Sequence, residues 1–149
     1  MQLLKLCRVR LEKYADVAPL VLRVALGAIF VVHGYGKVFT TGVTGVSGFL
    51  GQLGFPIPLF FAYVLSYGEI IAGILLIAGF VTYLAAKFAV IVGLVAWALV
   101  HLPHGFLAQN NGYEFIMLIT AAAVSVLITG AGKYSLDAFF EKDVSPPTA

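Results

Sequence analysis

Apolar residues fill four long stretches of this chain, and the polar ones crowd into the connections. The stretches run from Pro19 to Val38, Leu59 to Phe80, Tyr83 to Leu102 and Tyr113 to Gly130. Each is close to the roughly 20 residues that a helix needs to cross the hydrocarbon core of a bilayer. Pro19 suits a first helical turn, where its missing N–H is no loss. Pro56-Ile57-Pro58 blocks helix just before the second stretch. Phe80-Val81-Thr82-Tyr83 is so short a link that the second and third spans must form a tight antiparallel hairpin. The pattern predicts an all-α membrane protein, a four-transmembrane-helix bundle.

Composition fixes the solvent. Of 149 residues, 61% are hydrophobic and 11% charged, where a soluble domain carries about 25% charged residues. A globule of this size cannot hide so much apolar surface from water, so the bilayer must be a partner. The length predicts one transmembrane domain, residues 17–140, followed by a polar tail, residues 141–149. A net charge of +2, with scattered basic residues, gives no reason to expect nucleic acid. The single cysteine, Cys7, excludes an internal disulfide or a Cys-x-x-Cys relay.

The first apolar run is too long for a signal peptide, follows a 16-residue polar lead and shows no small-residue cleavage site. That lead, residues 1–16, places Leu4, Cys7, Leu11 and Tyr14 on one helical face, with Lys5, Arg8 and Lys13 elsewhere. It predicts a short interfacial helix. Lys5, Arg8, Arg10 and Lys13 precede the first span, Lys87 lies beside the short link, and Lys133 and Lys142 follow the fourth span. The other two connections hold only Lys37. The positive-inside rule therefore puts both termini and the short link in the cytoplasm. Small residues recur at four-residue spacing, Ala85, Ala89 and Gly93 in the third span and Ala121, Ser125 and Thr129 in the fourth. Such stripes predict close helix packing.

Ionisable residues at membrane depth are costly and point to function. Arg23 lies about one turn inside the first span, and Glu69 near the middle of the second. His33 and Lys37 share a face at the outer end of the first span. His101 ends the third, His104 follows across Pro103, and Glu114 opens the fourth. His33 lies about 21 Å above Pro19 at about 1.5 Å per residue, and antiparallel packing brings His101 and Glu114 to a similar height. His33, Lys37, His101, His104 and Glu114 are thus expected to converge near the outer face, under the bend His101–Glu114, "HLPHGFLAQNNGYE". Gly105 and Gly112 would let that bend fold back over the site. Arg23 and Glu69 are expected as a structural ion pair, although Glu69 could instead reach Lys37 or His33, or stay protonated.

Polar residues at helix ends often only meet headgroups and water. The sharper alternatives are axial haem ligation by two histidines, a metal held by His33, His101, His104 and Glu114, and a pocket for a polar-headed hydrophobic molecule such as a quinone. The last fits best and needs no metal: His33, Lys37, His101, His104 and Glu114 would hold the ring, with Glu69 or Glu114 relaying protons.

The chain resembles the DoxX family of small bacterial membrane proteins. The resemblance runs from "LRVALGAIFVVHGYGKVF" through "GFLGQLGFPIPLFFAYVLSYGEIIAGILLIAGF" and "HLPHGFLAQNNGYEF" to "GAGKYSLDAFF". Its most distinctive element is His-Gly-x-x-Lys at His33, Gly34 and Lys37. Gly48, Phe49, Leu53, Gly54 and Pro56 support it, as do Glu69 and Gly112-Tyr113-Glu114. The resemblance implies a four-helix membrane bundle. It also implies a quinone-linked redox role, since some relatives are subunits of thiosulfate:quinone oxidoreductases and others belong to membrane oxidoreductase complexes tied to sulfur or oxidative stress. The other class of function is a non-catalytic subunit that anchors or assembles a larger membrane complex. A second soluble domain to oxidise thiosulfate is not expected here.

Overall fold

The computed structural model describes residues 14–144, whose regular structure is helical throughout. Except for Tyr14, Ala15 and Asp16, the expected interfacial segment lies outside the described residues. Helix α1 spans Val17–Tyr35, α2 Val43–Gln52, α3 Pro58–Ala78, α4 Thr82–Ala96, α5 Glu114–Thr129 and α6 Leu136–Val144. α1 runs on into a π-helical turn, Gly36–Thr40; α4 runs on into another, Trp97–His101, and then a 3-10 turn, Leu102–His104. Three segments are long and apolar enough to cross a membrane: Val17–Thr40, Pro58–Ala78 and Thr82–His104. α5 is equally apolar but has 16 residues.

Two helices go beyond the sequence expectation. α2 occupies what reads as a connection, yet Val43, Val46, Leu50 and Leu53 recur at helical spacing. Val46 and Leu50 are buried against Ala62 of α3. α6 crosses the boundary expected at residue 140, so the polar tail begins inside a helix.

α1, α3, α4 and α5 close into a ring around a core that includes Leu26, Phe30, Leu76, Ala89, Ala123 and Val126. Their outward faces are also apolar, with Val21, Val32, Ile74, Leu84, Leu118 and Ile128 exposed. A helix that is apolar on every side needs lipid outside as well as protein inside. The tightest seam joins α1 to α3. A Cβ on Gly27 would stand 2.5 Å from the carbonyl oxygen of Gly73, and one on Gly73 2.6 Å from that of Gly27. Only glycine lets two backbones meet this closely.

Ala85, Ala89 and Gly93 are buried as the stripe on α4 predicts, with Gly93 against Thr120 of α5. The stripe on α5 is turned the other way. Ala121 and Thr129 are exposed, and α5 buries Ile119, Thr120, Ala123 and Val126 instead. The face carrying Thr120 meets Gly93, which rotates Ala121 and Thr129 outward.

The end of the bundle around the α3–α4 turn is tied by two side chains. α3 stops at Gly79 (φ 65°), whose N–H bonds Leu76, while Phe80 N–H bonds the Leu75 carbonyl at 3.0 Å. This Schellman-type closure is how glycine ends a helix. The guanidinium of Arg23, 1% exposed, donates to the Leu76 carbonyl at 2.9 Å, to that of Ala131 at 3.1 Å, and to those of Ile77 and Tyr134. Helix ends carry partial negative charge on their last carbonyls, so a buried cation is well placed there. Asp137 of α6 accepts the backbone N–H of Val81 at 2.7 Å and of Thr82 at 2.9 Å, capping α4. It holds Val81 at φ 48°, a conformation costly for a β-branched residue.

Candidate functional site

The opposite end of the ring encloses a cavity of about 550 Å³. α1 lines it with Ile29, Phe30, His33 and Lys37. α2 and the turn after it add Phe49, Leu50, Leu53 and Phe55. α3 contributes Phe61, Val64, Leu65 and Glu69, and α5 Phe115, Ile116 and Ile119. The longest wall is α4 with its extension, from Phe88 to His101. Into this apolar chamber reach the ionisable side chains of His33, Lys37, Glu69 and His101.

Lys37 and Glu69 form the centre of the polar group, Nζ to Oε2 at 2.6 Å. The glutamate side chain is 6% exposed and the lysine 25%, so one partner is sunk in the wall and the other faces the cavity. A carboxylate this buried needs its partner. The π-helical turn Gly36–Thr40 carries Lys37, and the second π-helical turn carries His101. π-turns insert a residue into an α-helix and are frequent at functional sites.

The connection Gly105–Tyr113 folds back as a compact loop. Tyr113 N–H bonds the Gly105 carbonyl at 3.0 Å and Glu114 N–H that of Phe106 at 2.9 Å. Tyr113 stacks on Trp97 with ring centres 5.7 Å apart. Gly112 is wedged against the carbonyls of Gly105 and Leu107, where a Cβ has no room. Nδ1 of His101 lies 2.9 Å from the carbonyl oxygen of Asn111, which Asn111 presents from a left-handed conformation (φ 61°). A carbonyl only accepts, so Nδ1 carries the proton and Nε2 is left to accept or pass one.

Of the residues expected to converge, His33, Lys37 and His101 line one cavity, where Glu69 joins them. His104 and Glu114 do not. His104 turns its Nδ1 to the Val100 carbonyl at 2.8 Å, and Glu114 accepts the Ala108 N–H at 2.7 Å, closing the loop. The four-residue metal set is thereby broken up, and among the described residues no three of His, Cys, Asp and Glu are grouped to hold a metal.

The Arg23–Glu69 ion pair does not form. Arg23 reaches the Leu76 carbonyl, seven residues along α3 from Glu69, about 10 Å at about 1.5 Å per residue. Glu69 pairs with Lys37 instead, the alternative partner that the sequence left open. The contribution that sequence reasoning missed is α2, whose Phe49, Leu50 and Leu53 wall the cavity. Its apolar spacing was the available signal.

These features define an all-helical membrane protein with a small-molecule-sized cavity built around a lysine–glutamate pair. The DoxX family profile matches residues 18–102, and the chain belongs to the DoxX family. Among its relatives, a Bacillus subtilis (strain 168) protein named "Putative oxidoreductase CatD" is 31% identical over 132 residues, 89% of this chain and 93% of the relative. "Inner membrane protein YqjF" of Escherichia coli (strain K12) is 30% identical over 137 residues, 89% of this chain and 98% of the relative. No solved structure gives a significant match.

Proposed function

We propose that the protein is a quinone-linked redox protein, or a subunit of a membrane oxidoreductase complex, that crosses the bacterial inner membrane four times. The observation that carries this reading is the cavity: about 550 Å³, apolar except where His33, Lys37, Glu69, His101 and Asn111 line it. That volume lies within the roughly 300–1,000 Å³ of ordinary small-molecule sites, which combine apolar walls with a few polar groups. A bound quinone supplies two-electron, two-proton redox chemistry. Lys37, its ammonium fixed by Glu69, would donate a hydrogen bond to a ring oxygen. His101, its Nδ1 held by the Asn111 carbonyl, would handle a proton at Nε2, and His33 lines the same cavity. The name of the Bacillus relative supports redox chemistry, and that of the Escherichia relative the inner membrane.

His33→Ala and His101→Ala should each reduce retained quinone severalfold, measured by mass spectrometry on monodisperse purified protein. Glu114→Gln should leave it unchanged, because its oxygen serves the loop backbone. Wild-type quinone content in both histidine variants rejects the reading. So does tight co-purification of another subunit with no quinone in any preparation, which would favour an anchoring role.

In this reading α5 is the fourth span, shortened because the Gly105–Tyr113 loop takes up part of the depth. Both termini and the α3–α4 turn face the cytoplasm, as the basic residues favour. In intact cells Cys7 should therefore react with membrane-permeant thiol reagents and resist impermeant ones. A cysteine introduced at Thr41, in a Cys7→Ser background, should react with both. Labelling of Cys7 by the impermeant reagent overturns this orientation.

A further inference from the structure

Among the described residues, protein leaves a seam of the cavity open between α2 and α4. α1 packs on α3 and α5, and α5 packs on α4, but α2 rests chiefly on α3 and leaves α4 uncovered. Both sides of that gap line the cavity, Phe49 of α2 with Leu53 just after it, and Ile91, Val95 and Leu99 of α4 and its extension. Phe49, Ile91, Val95 and Leu99 are exposed as well. All are apolar, and α4 belongs to a membrane-crossing segment, so the gap opens toward hydrocarbon. The polar groups lie deeper, Glu69 being 5% exposed.

We infer that the gap between α2 and α4 is a side entrance through which the cavity takes a lipid-soluble ligand from the bilayer, the polar head going in and an aliphatic or isoprenoid tail staying between the helices. This rests on the quinone reading and adds the ligand's class: long-tailed and membrane-borne. Volume supports it. A chamber of about 550 Å³ holds a drug-sized group and leaves no space for a long tail as well. The tail must leave somewhere, and this seam is apolar along its length. A head that enters from lipid also never crosses the hydrogen-bonded loop Gly105–Tyr113.

The test compares two benzoquinones with the same ring, one carrying a decyl chain and one without it, binding to purified protein in nanodiscs. Val95→Phe combined with Leu99→Phe should weaken the decyl compound about tenfold, while the tail-free ring changes less than about twofold. Val32→Phe, on a lipid-facing side away from the cavity, should change neither. Should the double variant not fold, Val95→Ala serves: it should speed association of the decyl compound and leave that of the tail-free ring alone. Equal effects on both compounds, or none on either, overturn the entrance while leaving the quinone site standing. If wild type binds neither compound, the quinone reading falls and the entrance with it. If instead phospholipid retained by wild type is lost in the double variant and decyl-quinone binding is unchanged, the gap holds a bilayer acyl chain, and the proposal is wrong.

Discussion

Arg23→Gln should lower the unfolding temperature of the purified protein by at least about 10 °C. The guanidinium is buried and joins the end of α3 to the carbonyls of Ala131 and Tyr134. Hydrogen bonds to a charged group each contribute about 1.5–3 kcal/mol, and glutamine can replace one at most. With three of the four bonds gone, a loss of about 5–9 kcal/mol follows, and a chain of this size loses about 2–4 °C per kcal/mol. Arg23→Lys should fall in between, since one ammonium cannot reproduce a planar fork. Combined with Glu69→Gln, the effect of Arg23→Gln should simply add, because the two groups share no partner. Thermal unfolding in detergent decides it. An Arg23→Gln protein within about 2 °C of wild type would show that the carbonyls find water or another donor, and coupling to Glu69 would revive the discarded ion pair.

The Lys37–Glu69 pair should behave differently. Lys37→Met strands a carboxylate and Glu69→Gln strands an ammonium, each in an apolar wall, and breaking a buried pair costs about 3–5 kcal/mol. Removing both together should restore most of that stability, because no uncompensated charge remains. Quinone binding should not return. If the pair holds the ring, quinone retained by the purified protein should fall about tenfold or more in both single variants and in the double. A double variant that recovers quinone along with stability would make the pair structural only.

How far the chain discloses itself varies with the kind of signal. The long apolar runs and the brief Gly79–Val81 link fix α1, α3 and α4 to within a few residues, because burial in lipid leaves an unmistakable pattern. His33, Lys37, Glu69 and His101 stand out for the same reason, being polar where polarity is expensive. α2 escaped because ten glycine-rich residues between two long spans look like a loop, although Val46 and Leu50 mark its buried face. Depth along a helix says how far apart two backbones lie, but not whether a side chain will choose a carboxylate or a row of carbonyls. Depth alone therefore suggests Glu69 for Arg23, whereas the guanidinium takes the carbonyls at the end of α3. Glu114 misled in a related way, since a carboxylate that closes its own loop and one that faces a ligand carry the same letter. The π-turns under Lys37 and His101 have no side-chain signature.

The bonds from Asp137 to the start of α4 span 55 and 56 residues of sequence, and that from Arg23 to Tyr134 spans 111. The ribosome makes the chain from one end, so the hairpin of α3 and α4 is synthesised before its cap. At about 5–20 residues per second, Val81 and Thr82 wait about 3–11 s for Asp137. During that interval the turn is held only by the glycine closure of α3, and Arg23 lacks two of its carbonyls. Assembly of this end is therefore completed last, by a segment outside the apolar spans, and a nascent chain that stalls before residue 137 presents an unlatched hairpin to quality-control proteases.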